Sequence, residues 1–454
     1  MEYQDFIKTK QKDHVNAGFK PKKLNAALWL HQPAIVEWAC IRGRAAIFAD
    51  TGLGKTLMQL EWANQVSQKT GKPVLLLAPL AVGRQTEEES VKFNITAKAK
   101  YVREPDSVHR IQITNYEMLD RFNPGDYAGI VLDESSILKG QSGAYRKQIT
   151  DFAAKIPYKL SCTATPSPND FMELGTQAEF LGIMSQVEML AMFFTHDGSE
   201  TQKWRLKGHA VAKFWEWLST WAVVISSPAD LGFDGSKYDL PELKVEKVVL
   251  SSESGVGLFA DIARGLTDVR IAKKSSAQER VDACAKWVNS LDEPCIVWCE
   301  TNDESAMLTK AINDCVEVSG SHSNDIKEDR LIGFSHGKYL KIVSKAKIAG
   351  FGMNWQHACK MAFVSPTYSF EQFYQSVRRE WRYGQKNDVT VKVFMTEELE
   401  GVHDIMLQKL DNDKLMRSEM IKVMSTSMKN EIFGAKANKT DYAPALKASM
   451  PAFI

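Results

Sequence analysis

The stretch Ala46-Ile47-Phe48-Ala49-Asp50-Thr51-Gly52-Leu53-Gly54-Lys55-Thr56 constrains this chain more than any other. An apolar strand runs into a glycine-rich turn, and a helix begins near Leu57. A strand, a turn and a helix in that order make one arm of a parallel α/β unit, whose sheet is covered by helices. Gly52 and Gly54 hold the turn open, so that the backbone N–H groups from Thr51 to Thr56 converge on an anion with a helix N-terminus behind them. Lys55 can reach the β- and γ-phosphates of a nucleotide, and the Thr56 hydroxyl can take a place on Mg²⁺. Ala49 stands where the general phosphate-loop pattern has a glycine.

The strands that follow are read by where they end. Pro73 to Pro79 is a continuous apolar run bounded by prolines, as expected of a buried parallel strand. Lys100–Arg103, Ile111–Thr114, Ala128–Asp133 and the run from Tyr158 continue the series, alternating with helical segments as in a doubly wound sheet. Ligands of such sheets bind beyond the carboxyl ends of the strands. The positions that matter are therefore Asp50, Pro79, Asn115 with Tyr116, Asp133 with Glu134, and Thr163 with Thr165. Asp133 is placed to hold the hydration shell of Mg²⁺ and Glu134 to polarise an attacking water. The hydroxyls of Thr163 and Thr165 can hydrogen-bond those carboxylates and pass nucleotide state to neighbouring loops. Upstream, Gln32 offers a donor and an acceptor together, which the Hoogsteen face of adenine requires. Taken singly, each of these is also what an ordinary strand end or turn looks like; their order carries the reading.

Composition decides the class of partner. With 57 Lys and Arg against 56 Asp and Glu, the formal charge is +1, so the chain is not an electropositive coat for nucleic acid. Basic surface is expected only locally, in the lysine-rich arm before residue 24 and between Arg378 and Lys386. The seven cysteines are scattered, without paired CxxC spacing, which excludes a disulfide framework or zinc ribbon and implies a reducing, cytoplasmic setting. No apolar run approaches the roughly 20 residues that span a bilayer, so no membrane role is expected.

The ordered set Gln32, Asp50–Thr56, Ala78–Leu80, Asn115–Glu117, Asp133–Ser136 and Thr163–Pro166 resembles the first-lobe motifs of superfamily-two helicases, in particular the Swi/Snf-type DNA translocases. A second lobe should then supply arginines across a cleft. The run Tyr368 to Gln385 resembles that branch's last motif: Gln375 precedes Arg379 and Arg382, which match the two finger arginines, while Arg378 stands where the branch usually has an acid. Guanidinium groups there would stabilise charge on the transferring phosphoryl and make hydrolysis depend on closure. Lys347 to Gln356 resembles the fifth motif, with Gly352 and Asn354 beside phosphate or the nucleic-acid strand.

The fold class this resemblance implies is α/β, with two tandem RecA-like, doubly wound parallel-sheet lobes, a small helical insert and a C-terminal helix. Expected boundaries are a basic arm to residue 23, a first lobe over 24–170, an insert over 171–229, a linker over 230–243, a second lobe over 244–396, a helix over 397–428 and a tail. The aromatic stripe Phe214, Trp215, Trp217 and Trp221 is expected to be core packing of the insert. The implied activity is that of a monomeric ATP- and Mg²⁺-dependent motor. Its expected track is double-stranded DNA, with single-stranded DNA or RNA as alternatives, and its expected partners are replication, repair or restriction proteins. A strand-separating helicase, a motor subunit of a larger assembly and a degenerate nucleotide-binding scaffold are the competing readings.

Overall fold

The computed structural model describes residues 18–79, 82–139, 143–167, 170–197, 200–251, 266–349 and 354–432. Its first lobe contains β1 (Arg44–Ala49), β2 (Val74–Ala78), β3 (Ala99–Tyr101), β4 (Ile111–Asn115), β5 (Gly129–Asp133) and β6 (Tyr158–Cys162). An antiparallel hairpin, β7 (Phe194–Asp197) with β8 (Glu200–Leu206), is followed by β9 (Ala222–Ile225). The sheet order is β3-β4-β2-β5-β6-β1-β9, and every pairing in it is parallel. β2, β4 and β5 are buried at all their positions; β2 accordingly reads as an unbroken apolar run, whereas β4 alternates and buries Gln112 and Thr114 along with its isoleucines.

The register aligns the reactive ends. Asp133 pairs with Cys162, and Cys162 pairs with Ile47, so Asp133, Thr163 and Asp50 emerge along one edge of three adjacent strands. Gly54, at φ 74°, caps the following helix, which therefore starts at Lys55 and not near Leu57.

The segment over 171–229 is not a separate helical insert. Helices Glu173–Leu181, Gln186–Phe193 and Val211–Ser219 are present, but the segment also holds the β7–β8 hairpin, and β9 joins the first sheet beside β1, in register from Ala46↔Ala222 to Ala49↔Ile225. The first lobe thus extends past residue 170. Four consecutive apolar residues are too short a signal to separate a strand from helical core, and only pairing with β1 decides it. Phe214, Trp215 and Trp221 are buried and Trp217 packs on Trp221, so the aromatic stripe is core. Residues 24–31 form turns. The Asn25 side chain takes up the Ala27 N–H, Leu30 has φ 45°, and the first described helix is Gln32–Arg42.

The second lobe contains β10 (Leu243–Leu250), β11 (Cys295–Cys299), β12 (Cys315–Val318), β13 (Lys341–Lys345), β14 (Lys360–Phe363) and β15 (Val389–Thr396), in the order β10-β15-β14-β11-β13-β12, again all parallel. A helix over Glu400–Ile432 leaves β15 through the second lobe's core, where Val402 and Met406 are buried, and Met416 and Met420 end in the core of the first lobe. Two apolar anchors on one continuous helix tie the lobes together. Among the described residues no helix is long and apolar enough to cross a membrane.

Candidate active site

The cradle is built where β1 meets its helix. Gly52 and Gly54 have φ 87° and 74°, a region that favours glycine, and a side chain at Gly54 would begin 2.2 Å from Gln32 Nε2. The Gln32 amide is engaged at both ends: Nε2 donates to the Leu53 carbonyl at 3.1 Å and Oε1 accepts from Trp29 N–H at 2.9 Å. In this conformation Gln32 clamps the phosphate loop from beneath. Lys55 Nζ donates to the Ala49 carbonyl at 2.8 Å and to the Asp50 carbonyl at 3.2 Å. Burial lowers the Lys55 pKa, while Glu134 and Asp133 act in the opposite direction. The buried Thr51 hydroxyl has no hydrogen-bond partner among the described residues. An open positive-φ turn, a buried ammonium and an unsatisfied hydroxyl are what a triphosphate would satisfy.

Asp133 ends β5 and Glu134 turns out of the strand at φ 54°, an uncommon conformation for a non-glycine residue. Burial, and then the neighbouring Glu134, push the Asp133 carboxyl above its ordinary range, while Gln59 Nε2 donates to its Oδ1 at 2.7 Å. Glu134 accepts from the Thr163 hydroxyl at 3.3 Å, and that hydroxyl also accepts from Thr165 N–H at 3.1 Å. Tyr116 donates its phenol to the Asp133 carbonyl. A buried acid, Asp133, and a half-buried one, Glu134, beside one lysine form a donor set suited to a hard divalent cation, with Thr56 across the turn. Glu89, its carboxyl raised by burial, lies next to Thr56 and Arg382, a neighbour that no sequence motif signals.

Asn115, Tyr116, Thr163, Thr165 and Gln375 are all buried, so in this state none is on a surface that a nucleic-acid strand can touch. Asn115 caps the turn after β4 by accepting from Met118 N–H at 3.1 Å. Pro79 is half-buried at the end of β2. Asn354 is exposed, and its neighbour Trp355 donates its backbone N–H to the Arg379 carbonyl at 3.0 Å; Gly352 and Leu80 lie outside the described residues.

The second lobe reaches this edge with the helix Phe370–Val377 and the turn after it. Glu371 accepts from Ser136 and pairs with Lys139 of the first lobe. Arg378, whose partner the sequence left open, forms an ion pair with Asp50. Arg379 is buried, its pKa lowered to about 10 by burial and then by Arg382, with Glu134 acting to raise it. Arg382 is half-buried, and the charge facing it is Glu89. The run from Arg378 to Lys386 is therefore not the basic surface its composition suggests, because its first two guanidinium groups point into the lobe junction and only its end is exposed.

Residues 32–168 match the family model described as "Type III restriction enzyme, res subunit". No curated protein matches. Among solved structures the chain is similar to the Sulfolobus solfataricus SWI2/SNF2 ATPase core in complex with dsDNA, at 17% identity over 91% of this chain and 98% of that one, with a TM-score of 0.43. At that score the reading rests on the family match and on the chain's own residues.

Proposed function

We propose that this chain, a nucleic-acid-dependent ATPase of the superfamily-two helicase type, is a motor that translocates along double-stranded DNA. One observation carries the reading: the phosphate cradle and the acid pair of the first lobe face a buried arginine, Arg379, supplied by the second. Residues that bind nucleotide and a residue that stabilises transferring charge thus sit on separate bodies, as a motor needs if hydrolysis is to follow closure.

The roles follow from position. Thr51 to Thr56 and Lys55 bind the phosphates, and Lys55 leaves the Ala49 and Asp50 carbonyls to do so. Thr56 and Asp133 would hold magnesium, which supplies charge neutralisation at the phosphate oxygens. Glu134, steadied by Thr163, orients the attacking water and accepts its proton. Arg379 meets charge on the phosphoryl group as it transfers, and Arg382, which faces Glu89 in this state, joins it on closure. Thr163, Thr165, Asn115 and Tyr116 link the acids to the strand ends and couple nucleotide state to movement. Double-stranded DNA is favoured as the track because the 368–385 run resembles the translocating branch. Contacts to its backbone carry no sequence information, so stepping is sequence-indifferent and salt-sensitive.

The test is the steady-state ATPase rate without nucleic acid and with single-stranded DNA, duplex DNA or RNA, each at two salt concentrations. Selective stimulation by the duplex, weakening with salt, is the expected result. Stimulation mainly by single strands or RNA would replace the translocase with an unwinding helicase. An absence of turnover on every track would sink the motor.

A further inference from the structure

We infer that Arg378 is a positioning residue of the ATPase reaction, which acts through Asp50 to seat the turn carrying Arg379 and is not a third phosphate-binding arginine. The inference rests on the ATPase reading above. Arg378 closes the helix Phe370–Val377 and immediately precedes Arg379, so whatever fixes its side chain also fixes the start of the finger turn.

Its guanidinium is fully engaged. It pairs with the Asp50 carboxylate, donates from Nε to the Tyr374 hydroxyl at 3.2 Å and donates from Nη1 to the Trp381 carbonyl at 3.1 Å. The same group lies 5.3 Å from the Tyr374 ring centre and 4.7 Å from that of Trp381. To reach a phosphate, Arg378 would have to abandon all of these partners and leave Asp50 buried without its cation, which buried ion pairs tolerate poorly.

Asp50 joins this cluster to the cradle. Its carboxylate accepts from the Thr51 N–H at 2.8 Å and from the Tyr374 hydroxyl, and its own carbonyl holds Lys55 Nζ. Asp50 is thus tied to the cradle through its own backbone and gives Arg378 a fixed anchor there. Asp50 and Arg378 are 7% and 4% exposed, so the pair is shielded from salt and its worth lies in geometry. The acid that the translocating branch usually has at this position could not pair with Asp50; arginine can, and the lobes meet through it.

The test is a double-mutant cycle on the full chain with saturating stimulatory nucleic acid, reading kcat and KM for ATP separately. Arg378→Ala and Asp50→Asn are each expected to lower kcat by about tenfold with KM held within about threefold, and the double variant to be no worse than the poorer single one. Tyr374→Phe removes only a hydroxyl and should fold even if the charge variants do not; a fall of about threefold in kcat at constant KM is expected. A KM raised about tenfold by Arg378→Ala at constant kcat, additive losses in the cycle, or unchanged kinetics in Tyr374→Phe would each overturn the inference while leaving an active ATPase standing. A wild-type chain that turns over no ATP would remove both.

Discussion

The two lobes contribute to the site in different ways. In the first, Asp50, Asp133 and Thr163 stand at the ends of adjacent parallel strands, and their spacing is set by backbone register within one sheet. In the second, Arg378, Arg379 and Arg382 follow a helix, and their distance from the acids depends on side-chain contacts across the junction, Glu371 with Lys139 and Arg378 with Asp50. The cradle is therefore built once, by folding, whereas the arginines are delivered conditionally. On the proposed function a nucleotide would be held by one lobe, and its hydrolysis would need both.

Four experiments would break or sharpen this division. The largest effect is expected from Arg379→Ala, a loss of about a thousandfold in kcat with nucleotide affinity changed only a few-fold, measured by single-turnover hydrolysis and by binding of a fluorescent ATP analogue. Equal loss of binding would show that the cradle is not complete in one lobe. Glu134→Gln should cost about a hundredfold or more in kcat and trap ATP unhydrolysed, because the amide cannot accept the proton of the attacking water. Retained turnover in that variant would remove Glu134 from the reaction.

Glu371→Ala probes the junction alone. It cuts the contacts to Ser136 and Lys139, and kcat is expected to fall about fivefold at unchanged affinity, since finger placement loosens while the cradle stays intact. A matching loss of affinity would mean the junction shapes the cradle as well.

The smallest effect concerns Asp133 and is one of stability. Its folded-state pKa is raised by burial and by Glu134, so between the unfolded value and that raised one the native chain binds more protons than the unfolded chain, and stability falls as pH rises through this window. At pH 7.5 without magnesium the ionised carboxylate is a cost, and Asp133→Asn, which keeps an acceptor for Gln59, should raise Tm by about 2 °C. Mg²⁺ with ATP should reverse the order of the two melting curves. A lower Tm for the asparagine variant in apo protein would show that the carboxylate is stabilising where it stands.

Much of the first lobe is legible because its chemistry lies at strand ends. Lys55, Asp133 and Glu134 follow apolar runs that read, in their order, as buried parallel strands, and such strands expose functional groups beyond their carboxyl ends. What the sequence misplaced has a common cause. β9 is too short to declare its period, and the basic run from Arg378 is buried because acids distant in sequence, Asp50 among them, face it. Each outcome depends on a partner far along the chain. Gln32 is the instructive intermediate case: its place near the cradle is legible, but its amide is spent on Leu53 and Trp29 in this conformation.

By itself the sequence determined the reaction class and the inventory of groups, because local pattern dictates strands, glycine turns and the side chains they end in. Only the tertiary structure decided which charges meet. Ion pairs such as Arg378 with Asp50, and the helix from Glu400 that enters the cores of both lobes, join residues separated by most of the chain. No local periodicity encodes them; they form because a buried charge must find its counter-charge and an apolar helix face must find a core.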